Sequence, residues 1–201
     1  QTMIRVFLLT AALLVSSAHA QTKGQNNGPS FSCSRATTAG EKAICASASL
    51  SRLDRAIAAA YRTAQRLYRA DPTALTALRE MQRGFNWARD YVAEGMAPRD
   101  TTLPDMMTGQ RNLLAGLKPI RPGFMGLWAS AVGEAQITAL PRGRVQVRLL
   151  ANEPVAGRWT CEVTGEAVVR TGSLILPEAD LDGWRIAITR VGGVLRVTET
   201  P

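Results

Sequence analysis

The sequence predicts an α+β chain in two parts: a small disulfide-stapled helical hairpin domain, followed by an antiparallel β sandwich or barrel. Three observations carry this expectation. Apolar residues recur in steps of three and four from Ser34 to about Leu117, the period of a helix face. From Phe124 onward they fall in short β-rich runs broken by Gly and Pro. Between the two lies Lys118-Pro119-Ile120-Arg121-Pro122-Gly123, a linker by composition. The expected organisation is a signal peptide over 1–20, a polar leader over 21–30, a helical domain over 31–117, the linker over 118–123 and a β-rich domain over 124–201.

The helical elements follow from capping chemistry and periodicity. Thr38-Ala39-Gly40-Glu41 has capping-box spacing and opens a short helix through Cys45. Ser47 caps a longer helix, whose apolar positions Leu50, Leu53, Ile57, Ala60, Tyr61, Ala64, Leu67 and Tyr68 share one face. Arg52, Arg55, Arg62, Arg66 and Arg69 fall mostly on the other. Asp71-Pro72 ends that helix and starts a third, because Pro is tolerated at the first helical position. The third helix carries Leu75, Leu78, Met81, Phe85, Ala88 and Val92 on one side, and Gly95 and Pro98 end it. A weaker helix spans about 102–117. The second and third helices form a hairpin, closed by the first and the fourth.

The predicted strands are Phe124–Ser130, Glu134–Leu140, Arg144–Leu150, Arg158–Thr164, Ala167–Thr171, Arg185–Arg190 and Val194–Thr198. Turns are expected at Pro141-Arg142-Gly143, Thr164-Gly165, Asp182-Gly183 and Gly192-Gly193. Val145, Val147 and Leu149 alternate with Arg144, Gln146 and Arg148, so one face is buried and the other wet.

Composition narrows the function classes. The chain has 201 residues and a formal net charge of +8. Residues 21–118 hold 14 Lys and Arg against 8 Asp and Glu, whereas 119–201 are nearly balanced at 9 and 8. The basic excess belongs to the helical half, is almost all Arg, and suits acidic partners. Met3-Ile4-Arg5, the apolar run Val6 to Val15 and the small-x-small site Ala18-His19-Ala20 have the three-part form of a secretory signal, too short to span a bilayer. Gln1 and Thr2 precede the expected start Met. The expected mature chain is exported, periplasmic or secreted, in an oxidising compartment.

Cleavage after Ala20 would remove His19, the sole His. Ser-His-Asp and Cys-His catalysis and His-based metal sites are then excluded. Three Cys cannot supply a four-thiolate zinc site, and no Gly-rich phosphate or dinucleotide motif occurs. No catalytic residue, metal or cofactor is expected. A carboxylate pair such as Glu41 with Asp54 is the one catalytic option left, and nothing in the pattern supports it.

Phe31-Ser32-Cys33-Ser34-Arg35-Ala36-Thr37-Thr38-Ala39-Gly40-Glu41-Lys42-Ala43-Ile44-Cys45 is the most distinctive stretch. Leu50-Ser51-Arg52-Leu53-Asp54, then Tyr61, then Gln82-Arg83-Gly84-Phe85 and Arg89-Asp90 follow it. Together these resemble the N-terminal domain of the LprI-type lysozyme-inhibitor family of exported bacterial proteins, over about 31–117. The family pattern is F-x-C-x-x-A-x-T-x-x-E-x-x-I-C, then L-x-x-L-D with a Tyr seven residues on, then Q-x-x-W-x-x-x-R-D. Phe85 stands at the Trp position here, with Trp87 nearby. The family's second Cys pair is replaced by Tyr91-Val92 and Thr101-Thr102. The β half resembles more loosely the C-terminal extensions of some members, through Cys161-Glu162-Val163-Thr164-Gly165.

The bland reading of most motif residues is structural. Cys33 and Cys45, twelve apart in an exported chain, are read as a disulfide rather than a redox pair. Cys161 is read as a buried free thiol, with an intermolecular disulfide as the alternative. Glu41 is the capping-box acid, and Asp54 is expected to pair or cap across the helical hairpin. Phe31, Thr38, Leu53, Tyr61, Gln82, Arg89 and Asp90 are read as framework. Trp128, Trp159 and Trp184 are expected in the β core. Arg52, Arg55, Arg62, Arg66 and Arg69 are either a solvated helix face or the contact for an acidic partner.

The resemblance implies a non-catalytic inhibitor that occludes the cleft of a lysozyme-class muramidase. The alternative is an envelope accessory protein that binds an anionic polymer or another protein without inhibition. Nucleic acid is not an expected partner of an exported chain, and the protein is not expected to span a membrane.

Overall fold

The computed structural model describes residues 28–153, 158–176 and 185–200. The expected signal peptide, most of the polar leader, the Asp182-Gly183 turn and Trp184 lie outside them. Four helices come first: α1 Ala39–Ala46, α2 Ala48–Leu67, α3 Pro72–Ala93 and α4 Leu103–Gly116. Each start has a side-chain cap on a backbone N–H, from Thr38, Ser47, Asp71 and Thr102. These hydroxyls and the carboxylate satisfy N–H groups that have no partner inside the helix. Gly95, at φ 76°, follows the end of α3.

The helical core gathers Ile44, Leu50, Ile57, Ala64, Leu78, Phe85, Ala88, Val92, Leu103, Met107 and Leu114. The α2–α3 turn is short, as expected of a hairpin, but the packing is not that of a simple pair. From the turn α2 lies chiefly against α4, and α1 packs on both α2 and α3. The fourth helix is therefore a main wall of the core, with Met107 and Leu114 as its buried contacts.

Seven strands follow: β1 Gly126–Ser130, β2 Gly133–Ala139, β3 Val145–Asn152, β4 Thr160–Arg170, β5 Ser173–Leu176, β6 Arg185–Val191 and β7 Val194–Thr200. They form one antiparallel meander in chain order, curled into a half-barrel. The sandwich-or-barrel expectation is thus met by a single curled sheet. Its inner face carries Ile137, Val145, Val147, Val163, Ala167, Leu174, Leu176, Ile186 and Ile188. On the outer face Arg144 meets Glu166 at 2.9 Å and Arg148 meets Glu162 at 2.7 Å.

Two strand expectations are corrected. Thr164-Gly165 is not a turn. Gly165 pairs with Val147 inside the long strand β4, and the chain reverses instead around Gly172, at φ 74°. The segment Ser173–Leu176 then forms β5, a strand outside the expected set because only four residues alternate. Cys161 is exposed rather than buried. It sits one residue into β4, opposite Ala151 and away from the packed cluster. Trp159, just before that strand, is also largely exposed, whereas Trp128 packs on the core and donates its indole N–H to the Phe124 carbonyl at 2.7 Å.

The linker is held at three points. Tyr68 Oη, at the end of α2, donates to the Lys118 carbonyl at 3.0 Å, and burial pushes its phenol pKa up. Ile120 lies where any side chain on Gly193 would have to go. Arg190 donates to the Gly123 carbonyl at 2.8 Å while its guanidinium lies 5.8 Å from the Trp128 ring centroid.

Candidate functional site

The motif residues of the helical part converge on a polar lock at the start of α1. Thr38 Oγ1 accepts from the Glu41 N–H at 3.2 Å and donates to Asp90 Oδ1 at 2.9 Å. One hydroxyl thus caps α1 and ties it to α3. Arg89 donates to the same Asp90 oxygen from Nε at 3.1 Å and Nη2 at 2.9 Å. Arg89 is only 8% exposed, so its charge depends on that carboxylate. Gly40 lies against this pair, with no room for a Cβ.

Glu41 closes the capping box. Its Oε2 accepts from the Thr37 N–H at 2.8 Å and the Thr38 N–H at 3.2 Å. Those backbone donors, Thr37 first, hold its carboxyl below its ordinary pKa, with Arg89 adding a smaller pull. Cys33 and Cys45 form a disulfide that fastens the N-terminal arm to α1. Phe31, Leu53 and Tyr61 are each partly buried against the helical core.

The structure separates the remaining motif residues from this lock. Asp54 does not reach across the hairpin. Its Oδ2 accepts from the Ser30 N–H, and Arg55 beside it donates to the Gly28 carbonyl, so both hold the N-terminal arm against α2. Gln82 accepts from the buried Gln110 amide at 3.0 Å and donates to Asn86 at 3.3 Å, which links α3 to α4. Glu41 and Asp54 are each occupied by backbone N–H donors.

Two features of the helical surface are left facing solvent. Arg52, Arg62 and Arg66 are exposed along the outer side of α2, with Arg55 half-buried among them, and Arg69 is exposed in the turn that follows. Trp87 on α3 is 60% exposed and stacks on Tyr91, with centroids 5.6 Å apart. Arg83, one turn earlier, is exposed and makes only a 3.9 Å contact with Glu80. Phe85 fills the core position, so Trp87 is an additional aromatic on the polar side of the helix. That signal is legible in sequence, since Trp87 lies about 200° from Phe85 on a helical wheel.

A cleft of about 400 Å³ separates α3 from β7, lined by Pro72, Thr73, Thr76, Ala77, Glu80, Val194 and Arg196. Among the described residues no group of His, Cys, Asp and Glu is placed to hold a metal ion. No helix among them is long and apolar enough to cross a membrane.

Comparison with known families places this geometry. Residues 33–112 match the family model described as Lysozyme inhibitor LprI. The match begins at the first disulfide cysteine and ends within α4, so it covers the helical part and none of the β part. No curated protein and no solved structure matches the chain.

Proposed function

We propose, from an LprI-type helical unit with its own core and staple, that this chain is an exported, non-catalytic inhibitor of a lysozyme-class muramidase. The carrying observation is the coincidence of the family match, residues 33–112, with the capped and disulfide-bonded four-helix unit. A cleft-occluding inhibitor needs a rigid scaffold and a small protruding anchor. The lock around Arg89, Asp90 and Thr38 supports the scaffold. It is internal, so it does not offer a contact surface.

The anchor in this reading is Trp87, backed by Tyr91 and flanked by Arg83. Trp, Tyr and Arg are the residue types that dominate interface hot spots. A muramidase cleft holds sugar rings beside paired carboxylates. A flat indole suits a sugar subsite and a guanidinium suits a carboxylate. The Arg83–Glu80 contact is long and solvent-exposed, so it costs little to break.

The test is titration of the full chain into muramidase assays with one basic animal-type enzyme and one less basic bacterial enzyme. Saturable inhibition near stoichiometric amounts is expected. Trp87→Ala should weaken it by about thirtyfold, the effect of a ~2 kcal/mol hot spot, with unchanged melting temperature. Folded protein that inhibits neither enzyme would overturn the reading.

A further inference from the structure

We infer that the outer face of α2 binds a linear phosphodiester polymer, laid along the helix from Arg52 to Arg69. This surface is independent of the muramidase reading and lies on a different helix from Trp87. Arg52, Arg55, Arg62 and Arg66 fall within about 80° of arc and span about 21 Å of α2, and Arg69 follows in the turn just after it. Successive members within α2 are separated along the axis by about 4 to 10 Å, no more than about one screening length in 0.1 M salt, so their fields add at that ionic strength and below.

The fold does not neutralise these charges. No Asp or Glu stands three or four residues from any of them. The sole acid in α2, Asp54, is taken by the arm. Among the described residues none of the five forms an ion pair, whereas Arg89, Arg144 and Arg148 all do. The spacings 52/55 and 62/66 bring like charges together on the helix, which opposes helix formation. Arg55 holds the Gly28 carbonyl and Arg66 bonds Thr63 at 2.9 Å, and both keep further N–H donors free. A run of charge that weakens its own helix and meets no acidic partner among the described residues fits an external one.

Residue types specify the ligand. All five are Arg, whose planar fork grips phosphate through two hydrogen bonds. The aromatic residues of α2, Tyr61 and Tyr68, pack on the core side, so the stripe offers no platform for stacking bases. A flexible phosphate polymer without bases is therefore the better fit than a nucleic acid strand.

The experiment measures binding of the full chain to poly(glycerol phosphate) over a range of salt. Two triple variants lower the net charge equally: Arg52→Gln/Arg62→Gln/Arg69→Gln on the stripe, and Arg99→Gln/Arg121→Gln/Arg170→Gln elsewhere on the exposed surface. The stripe variant should bind at least tenfold more weakly at low salt, with a log–log salt slope smaller by about 2, as three lost phosphate contacts imply. The control variant should lose less than threefold. Oligo-dT of equal charge should bind no more tightly than the base-free polymer. Absence of binding, equal loss in the two variants or tenfold preference for oligo-dT would each overturn the inference. The stripe variant should melt no lower than the parent at low salt. A lower melting point would show that the arginines hold the helix and would overturn the argument from unused charge.

Discussion

A methyl group at position 40 would lie 2.3 Å from Asp90 Oδ1 and 2.7 Å from Arg89 Nε. Helix propensity alone favours Ala over Gly by about 1 kcal/mol. Here the clash decides the sign, because Arg89 and Asp90 cannot retreat without parting a buried charge from its partner. Gly40→Ala should destabilise the protein by about 2 kcal/mol, read as a lower urea midpoint; an unchanged midpoint would refute the tight lock. Glu41 acts at the same scale through pH. Its folded pKa lies below its unfolded value, so its contribution is complete above the ordinary Glu value of about 4.3 and is lost as pH falls through the lowered one. Glu41→Gln should flatten the stability profile across that acid window and lower stability at neutral pH, measurable by denaturation at several pH values. The roles of Thr38 and Glu41 were legible, because a capping box is local and has fixed spacing. The lock's long arm was not, since Thr38 meets Asp90 across 52 residues of chain. Gly40 itself was a readable hint: a Gly in the first turn of a helix is unfavourable unless something packs against it.

Among the elements, periodicity was informative where runs were long and failed where they were short. The first three helices begin at the cap residues the sequence marks, because each cap is a local contact, and the fourth begins behind Thr102, a cap its weaker periodicity does not single out. The strand pattern broke at Gly165, where a Thr-Gly pair looks like a turn but lies opposite Val147 in mid-strand. The nearest neighbour to a Cβ there would be Leu176 at 3.8 Å, so the position simply faces the inner cluster of the curled sheet. The apolar neighbours of Cys161 suggest burial, yet the start of β4 lies outside the packed cluster. Periodicity points Asp54 across the hairpin, but its partner belongs to the N-terminal arm, whose path no periodicity encodes. The disulfide acts at this scale as well. It closes a short loop with a sequence separation of 12, and chain-entropy arguments give such a loop about 3 kcal/mol. Cys33→Ser/Cys45→Ser should therefore lower the unfolding free energy by about that amount and loosen the arm carrying Phe31. Chemical denaturation of the double variant against the parent measures this; a loss confined to tenths of a kcal/mol would mean the arm is held by Asp54 and Arg55 instead.

For the molecule as a whole, two hydrophobic clusters with different periodicities are joined by a polar clasp. The excess charge of the helical half disfavours encounter with a strongly basic muramidase, so a surface away from the Arg stripe suits that partner better. Asp71 is the residue that joins the halves. Its Oδ1 accepts from the Ala74 N–H at 2.8 Å and caps α3, while its Oδ2 accepts from the Gly193 N–H at 2.7 Å in the β6–β7 turn. The cap was readable from Asp71-Pro72, but the clasp was not, because Gly192-Gly193 reads as a plain hairpin turn. Asp71→Asn separates the two roles. Asn caps helices as well as Asp does, so the amide oxygen can keep the Ala74 bond. The amide nitrogen then faces the Gly193 N–H, donor against donor, and the clasp is lost. Helical stability should be nearly unchanged, while amide exchange at Gly193 and proteolysis within 118–123 should both quicken. If both stay at parental rates, the halves are held by Ile120 and Arg190 without Asp71. If the helical unit melts earlier as well, the cap and the clasp are one cooperative contact and the two halves unfold together.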